Sequence, residues 1–246
     1  GRLTRTPHPG PLMPHQLLPT SVVLMLHFDG PHGSTTFVDS SRSAHPMTAG
    51  GAAAISTAES LLTSSGNFNN EPTTLVSCPN CEDFNFGAGA WTIEAFLWVR
   101  PTNNNAFLCG SYQGAAFSGF YCLVQFATPA MSFYRDDEPF TVYTVSGGAL
   151  STETWHHVAW VRDNDEIRIY QDGGMLGRLV INAAAGVRFS TDEFTVGGNN
   201  DASVTFDGFD GYVEDLRVSK GLARYTGTTS APGSCFTVPS VPLANF

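Results

Sequence analysis

Lysine occurs once in this chain of 246 residues, at Lys220, and every other fixed side-chain cation is an arginine. Lys and Arg together number 12 against 22 Asp and Glu, a formal charge of −10 at pH 7. No basic cluster is present to neutralise a run of phosphates, so nucleic acid is not an expected partner. Long apolar runs are missing as well: nothing approaches the roughly 18 residues that cross a bilayer as a helix, and membrane insertion is not expected. Val22 to Phe28 is apolar, but it is too short for the core of a signal peptide and follows a proline-rich lead. A buried strand is the better reading. The chain opens on Gly1 rather than Met, which leaves a leader or longer precursor, and with it secretion, open.

Cysteine is sparse, and its number, five, is odd, which argues against a complete disulfide framework. Cys78-Pro79-Asn80-Cys81 has the spacing of half a zinc knuckle, yet no second Cys-x-x-Cys and no His-x-x-x-His completes a tetrahedral set. A local disulfide or two free thiols in a loop is preferred. Cys109 and Cys122 flank a glycine-rich segment and could face each other across a hairpin; whether they are joined depends on the redox compartment.

Two catalytic signatures are absent. A retaining glycoside hydrolase needs two carboxyl groups about 5–5.5 Å apart, which a strand supplies by alternation, and no Glu-x-Asp-x-x-Glu occurs. The nearest approximations, Asp163-Asn164-Asp165-Glu166 and Asp136-Asp137-Glu138, fall in expected turns. Gly-x-Ser-x-Gly is absent too, so no nucleophile elbow is indicated and catalysis is not expected.

What the chain does contain is short alternating segments punctuated by 25 glycines and 15 prolines, with no long helical period. Trp91 to Arg100 puts Ile93, Ala95, Leu97 and Val99 on one face and Thr92, Glu94, Phe96 and Trp98 on the other. Two largely apolar faces predict an inner strand covered on both sides. Trp155 to Arg162, the turn Asp163-Asn164-Asp165, and Glu166 to Gly173 form a predicted hairpin. Its adjacent His156 and His157 point to opposite faces and are read as packing residues. Gly211 to Val218 alternates again, with Tyr212, Glu214, Leu216 and Val218 against Val213, Asp215 and Arg217. Further strands are expected at Ala106–Leu108, Phe120–Phe126, Met131–Tyr134, Phe140–Val145, Leu179–Ile181, Val187–Phe189 and Phe194–Gly198. Ala49 to Ala58 reads as a short strand, and the polar sequence that follows, up to Thr74, as a long loop. Residues 1–20 carry Pro7, Pro9, Pro11, Pro14 and Pro19, a composition for an extended arm that cannot build a core.

The opening strand with His27-Phe28-Asp29-Gly30, the segment Thr36-Phe37-Val38-Asp39-Ser40-Ser41, the blocks Trp91–Arg100 and Trp155–Gly173, and the closing run Gly211–Thr226 together resemble the concanavalin A-like, laminin-G-like jelly roll, in a subfamily common in phage virion proteins. The resemblance implies an all-β fold: a two-sheet antiparallel jelly-roll β-sandwich over residues 21–246 with an extended N-terminal arm at 1–20. About 200–250 residues is within range for one such domain. It further implies that Val22–Phe28 pairs with the closing strand. Asp29 and Asp215 would then be neighbours, and with the Gly30 carbonyl they are the expected ligands of one structural calcium, a cation that needs about six to eight oxygens. This chain has Glu214-Asp215 where the family more often has Asp-Glu, which moves that carboxylate to the other face of the strand.

All four tryptophans, Trp91, Trp98, Trp155 and Trp160, lie in strand blocks and are read as core. The aromatics expected to meet a sugar are Tyr112, Phe117, Phe120 and Tyr121 around the segment Gly110 to Gly119, with Tyr134, Arg135 and Asp136 as the polar end of the set. The functional expectation is a non-enzymatic structural protein of a virus particle: a phage capsid decoration, fibre or tail component. Its arm would contact capsid or tail proteins, its sandwich would face host-surface glycans, and it would act as a homo-oligomer located on the virion. The alternative is a secreted, extracellular lectin or adhesion module attached to no particle.

Overall fold

The structure, a computed structural model, describes residues 21–243 apart from 103, 139–140 and 200–205. The arm at 1–20 lies outside the described residues. Among those described, the regular elements are sixteen strands and two short 3-10 turns. The strands are β1 Val22–Leu26, β2 Thr48–Gly50, β3 Ala54–Ser56, β4 Ser65–Asn69, β5 Leu75–Cys78, β6 Trp91–Val99, β7 Asn105–Gln113 and β8 Ser118–Gln125. They continue with β9 Thr128–Tyr134, β10 Val142–Ser146, β11 Trp155–Asp163, β12 Glu166–Gln171, β13 Gly174–Val180, β14 Phe194–Val196, β15 Asp207–Gly208 and β16 Asp210–Lys220.

Sheet A has the order β13-β12-β11-β6-β16-β4-β3, and sheet B the order β10-β9-β8-β7-β14-β5-β2, with β15 lying parallel to β7. The expected closure of the chain is present. β1 pairs antiparallel with β16, Leu24 opposite Val218 and Leu26 opposite Leu216. The long β16 divides its open side between two partners: residues 210–213 pair with β4, and the C-terminal half pairs with β1.

Alternation explains the core. Ile93, Ala95, Leu97 and Val99 of β6, Val158 and Trp160 of β11, and Ile167 and Ile169 of β12 face Leu108, Phe120, Cys122, Met131 and Phe133 of sheet B. Trp160 Nε1 donates to the Ala130 carbonyl at 3.1 Å, so the indole N–H is satisfied by the opposite sheet. In β16 the simple alternation breaks. A bulge lies between Glu214 and Arg217, with Asp215 at φ 52°, so that Val213, Leu216 and Val218 all reach the core.

The outer face of sheet A is covered too, as expected for β6, and what covers it is the C-terminal segment. Phe96 packs with Val22, Met25 and Leu243, while Tyr225 and Phe236, their rings stacked at 3.6 Å, lie over Tyr170. Gly173, at φ 78°, makes this approach feasible: a Cβ there would sit 2.2 Å from the Phe236 carbonyl oxygen.

Several sequence expectations change. The polar stretch that reads as a loop contains β4, because Phe68 enters the core and Gly66 admits the ring of Phe28. The glycine-rich segment after Cys109 is mostly strand, since only the 3-10 turn Gly114–Ala116 and Phe117 separate β7 from β8. Cys109 does stand opposite Cys122, both as buried free thiols. Val187–Phe189 is no strand; Val187 makes isolated bridges to Gly87 and Arg135.

Candidate functional site

A recess of about 310 Å³ opens on the outer face of sheet A, lined by Leu61, Leu62, Phe96, Trp155, His157, Asp172 and residues 238–240. This is the lower end of the range for small-molecule sites and of a size for one sugar ring. Four pieces of chain build it, the turn after β12 supplying Asp172. The sheet supplies Phe96 from β6 and Trp155 and His157 from β11. The C-terminal segment supplies Val238, Pro239 and Ser240. The loop before β4 supplies Leu61 and Leu62, and it is held by one carboxylate: Glu214 accepts the backbone N–H groups of Leu61 at 2.7 Å, Leu62 at 2.9 Å and Thr63 at 3.3 Å. Burial raises the Glu214 carboxyl despite those three donors.

Trp155 is partly exposed, packing against the Phe96 cluster rather than entering the sandwich core. Trp91 and Trp160 do enter the core, whereas Trp98 lies with Tyr212 on the outer face, where Arg100 sits 4.5 Å over the tyrosine ring. His157, expected as a packing residue, is buried, but its two ring nitrogens differ. Nε2 lies 3.1 Å from Glu94 Oε2, and buried Nδ1 has no hydrogen-bond partner among the described residues. Nδ1 belongs to a ring that lines the recess, and it accepts a hydrogen bond there when the ring is neutral and donates one when the ring is charged. Asp172 accepts from His156 Nδ1 at 2.7 Å and from the His157 backbone N–H at 3.0 Å. Burial pushes its carboxyl up, but these two donors outweigh it and hold the carboxyl low, as an anion.

Behind His157 lies a buried charge network. Glu94, wholly inaccessible, takes a two-pronged contact from Arg217, Nε at 2.9 Å and Nη2 at 2.8 Å, and accepts from the Tyr225 hydroxyl at 2.6 Å. Burial opposes its ionisation, yet His157 and Arg217 prevail and bring it down to about 2. Burial and the neighbouring Glu94 carboxylate push the Tyr225 phenol up, keeping it a donor.

The sequence-predicted sugar set lies on the opposite side of the molecule and only in part as expected. Tyr112 of β7, Tyr121 of β8 and Tyr134 of β9 gather on the outer face of sheet B with Phe206, and Phe117 meets Tyr134 edge-on at 5.8 Å. Tyr112 and Tyr134 are parallel within 6°, at 6.0 Å. The three tyrosines are nonetheless mostly buried against one another, with Phe117 the exposed member. Phe120 is a correction: alternation along β8 sends it inward to Phe86 and Phe194, where no surface ligand reaches it. Arg135 is folded onto Asp137 and Tyr143, and Asp136 accepts the Gly186 N–H at 2.8 Å, so both close the end of β9.

The residues expected to hold calcium are brought to one end of the β1/β16 pair, where His27 lies between them in charge. His27 Nδ1 is 2.6 Å from Asp215 Oδ1, while Asp215 Oδ2 accepts the Leu243 N–H at 2.5 Å. Asp29 is exposed and accepts from the Thr63 hydroxyl at 2.6 Å, and Gly30 is an exposed turn residue at φ 152°. Asp215, 1% exposed, has both oxygens engaged, so the expectation of a cation there rests on the resemblance alone.

Two antiparallel sheets closed by their first and last strands, with a recess on one outer face, define a jelly-roll sandwich of lectin-like build. Residues 70–223 match the family described as the concanavalin A-like lectin/glucanases superfamily, and the chain belongs to it. Among solved structures, the binding domain of Paraclostridial mosquitocidal protein 1 is similar at TM-score 0.65 and 11% identity, covering 82% of this chain and 49% of that one. The binding domain of botulinum neurotoxin serotype C1 is similar at 0.61 and 14%, with coverages of 82% and 49%. The binding domain of botulinum neurotoxin DC in complex with SialylT is similar at 0.57 and 12%, with coverages of 83% and 49%. Identities this low speak to the fold, and this chain spans about half the length of each. No curated protein matches the sequence.

Proposed function

We propose that this chain is a non-enzymatic, lectin-like recognition module that seats one residue of a glycan in the recess on sheet A, displayed on a virus particle to which its N-terminal arm anchors it. The recess carries the reading: over a floor made by Phe96 and His157 it offers the partly exposed Trp155 for the apolar face of a sugar, with Asp172 and Ser240 as polar groups beside it. The absence of catalysis is supported by the carboxylates themselves. Glu94, Glu214 and Asp215 are each spent on fixed partners of the fold, and the carboxylate at the recess, Asp172, is committed to His156 and the His157 backbone. The virion setting is supported by the resemblance of the opening and closing strands and by the five prolines of residues 1–20.

Glycan-array screening of the full chain, followed by calorimetry on the hits, tests the site. Trp155→Ala should weaken binding at least tenfold, about 1.4 kcal/mol, while Phe117→Ala on sheet B leaves it unchanged. Loss through Phe117→Ala alone would move the site to the tyrosine face. Pull-downs from source lysate with the full chain and with a version lacking residues 1–20 test the anchor. Shell or tail proteins recovered by the full chain alone support the particle. Equal recovery of glycoconjugates by both versions supports the second reading, a free extracellular lectin, which the build shared with toxin binding domains favours.

A further inference from the structure

The half-motif Cys78-Pro79-Asn80-Cys81 lacks partners along the sequence, but the fold supplies them from another segment. β2 and β5 pair antiparallel, Thr48 opposite Ser77, which brings the chain entering β2 beside the chain leaving β5. His45 thereby meets Cys81 and Asp83, and the ligand atoms of these three side chains all lie within 4.8 Å of one another. His45 Nε2 is 3.2 Å from Asp83 Oδ2. Two ligands about 2.0–2.1 Å from a tetrahedral zinc ion are roughly 3.4 Å apart, so this pair already spans one edge of such a site. The same Nε2 is buried, and among the described residues it has no hydrogen-bond partner, meeting the Asp83 carboxylate only outside hydrogen-bonding geometry, as two ligands of a shared cation would.

The supporting shell is fixed independently of any ligand. The Asp39 carboxylate accepts the backbone N–H groups of Met25, Ser41 and His45, which sets the loop carrying the imidazole. Phe84 backs the His45 ring at 5.2 Å and is itself stacked on Phe194 at 4.4 Å. Ser43 donates to Asp83 Oδ2 at 2.7 Å, and the Cys81 N–H is held by Asn80 Oδ1 at 2.8 Å. Partners of this kind orient metal ligands and raise their basicity.

We propose that His45, Cys81 and Asp83 form a three-ligand site for a zinc-class divalent cation, its fourth position open to solvent. Sulfur, imidazole nitrogen and carboxylate oxygen form a borderline-soft set that suits zinc and excludes calcium and magnesium, which take oxygen. On binding, the Cys81 thiol gives its proton to solvent and the sulfur coordinates as thiolate, with His45 neutral. Cys78 is not a ligand. It is buried in the sandwich core, where burial pushes its thiol up to about 12. The bound cation would pin the loop before β2 to the turn after β5.

The test uses the full chain, stripped with a chelator and kept under a phosphine reductant, titrated with Co²⁺ and then Zn²⁺. Expected are one Co²⁺ per chain with a thiolate-to-cobalt charge-transfer band, its displacement by zinc, loss of the band in Cys81→Ser, and at least tenfold weaker binding in His45→Ala and Asp83→Asn. Because the band reports sulfur ligation, binding at histidines elsewhere does not imitate it. In the unmutated chain, one equivalent of zinc should slow alkylation of Cys81 at least tenfold and leave Cys235 unchanged. No charge-transfer band, a band that survives Cys81→Ser, or unprotected Cys81 overturns the proposal.

Discussion

The ring of Phe28 occupies the space a side chain on Gly66 would need: a Cβ at position 66 would stand 2.6 Å from Phe28 Cδ1. Phe28 leaves β1 at φ 60° and is held edge-on between Phe37, at 5.9 Å, and Phe68, at 6.4 Å. The two core rings that hold it restrict its movement. Gly66→Ala should therefore destabilise the fold by about 1–3 kcal/mol through overpacking, read as a lower urea midpoint at unchanged slope. A midpoint equal to that of the parent would show that β4 yields where the geometry says it does not.

Arg217 and Glu94 face each other inside the protein, so removing Arg217 takes away the two-pronged partner of a buried carboxylate and leaves it to His157, Tyr225 and Arg224, the last at 3.7 Å. Arg217→Met should cost about 3–5 kcal/mol, and replacing both, Arg217→Met with Glu94→Leu, should recover part of that loss. Denaturant curves of the two single variants and the double variant give the coupling. Additive losses would mean the pair is not coupled.

The two sides of the pH profile belong to different groups. The Glu94 carboxyl is held at about 2 against an ordinary 4.5, so its contribution is present above pH 4.5 and is lost as pH falls toward 2. His27 is raised above 6.5 by its hydrogen bond to Asp215, so its contribution is complete below pH 6.5 and is lost as pH rises through the raised value. Urea midpoints across this range should show both limbs. His27→Gln should flatten the alkaline limb and leave the acid one in place.

Thiol accessibility should split the five cysteines. Cys78, Cys109 and Cys122 are buried, while Cys81 and Cys235 are partly exposed. With metal removed, a thiol reagent should label Cys81 and Cys235 in the native protein and the other three only after unfolding, as peptide mapping would report. Native labelling of Cys109 or Cys122 would contradict the packing of β7 and β8 against sheet A.

Glu214 ties the recess to the sheet. Glu214→Gln keeps the size of the side chain but offers a single carbonyl oxygen to three backbone N–H groups. The loop carrying Leu61 and Leu62 should loosen, with faster amide exchange at residues 61–63 and weaker glycan binding than the parent. Unchanged exchange there would show that the loop is held by packing alone.

Local pattern was enough to give the strand-rich build, the inner strand β6 and the β11/β12 hairpin, because alternation with a period of two is a property of neighbouring residues, whereas the pairing of the two chain ends came from the family resemblance. It was not enough for β4, whose strand character comes from Phe68 and Phe28 meeting across the sheet rather than from its own Ser, Gly and Asn. Nor could it place the bulge at Asp215, which changes which side chains of β16 face inward. Phe120 was misplaced among surface aromatics because the segment around it reads as a glycine loop, whereas pairing makes it strand and sends that ring to the core. The recess was legible nowhere in the sequence, and of the His45, Cys81 and Asp83 cluster only Cys81 stood out, through the half-motif it shares with Cys78. Their parts are separated by up to 179 and 38 positions, and only the closing of two sheets, with the C-terminal segment laid over one of them, brings those groups within reach of a single ligand.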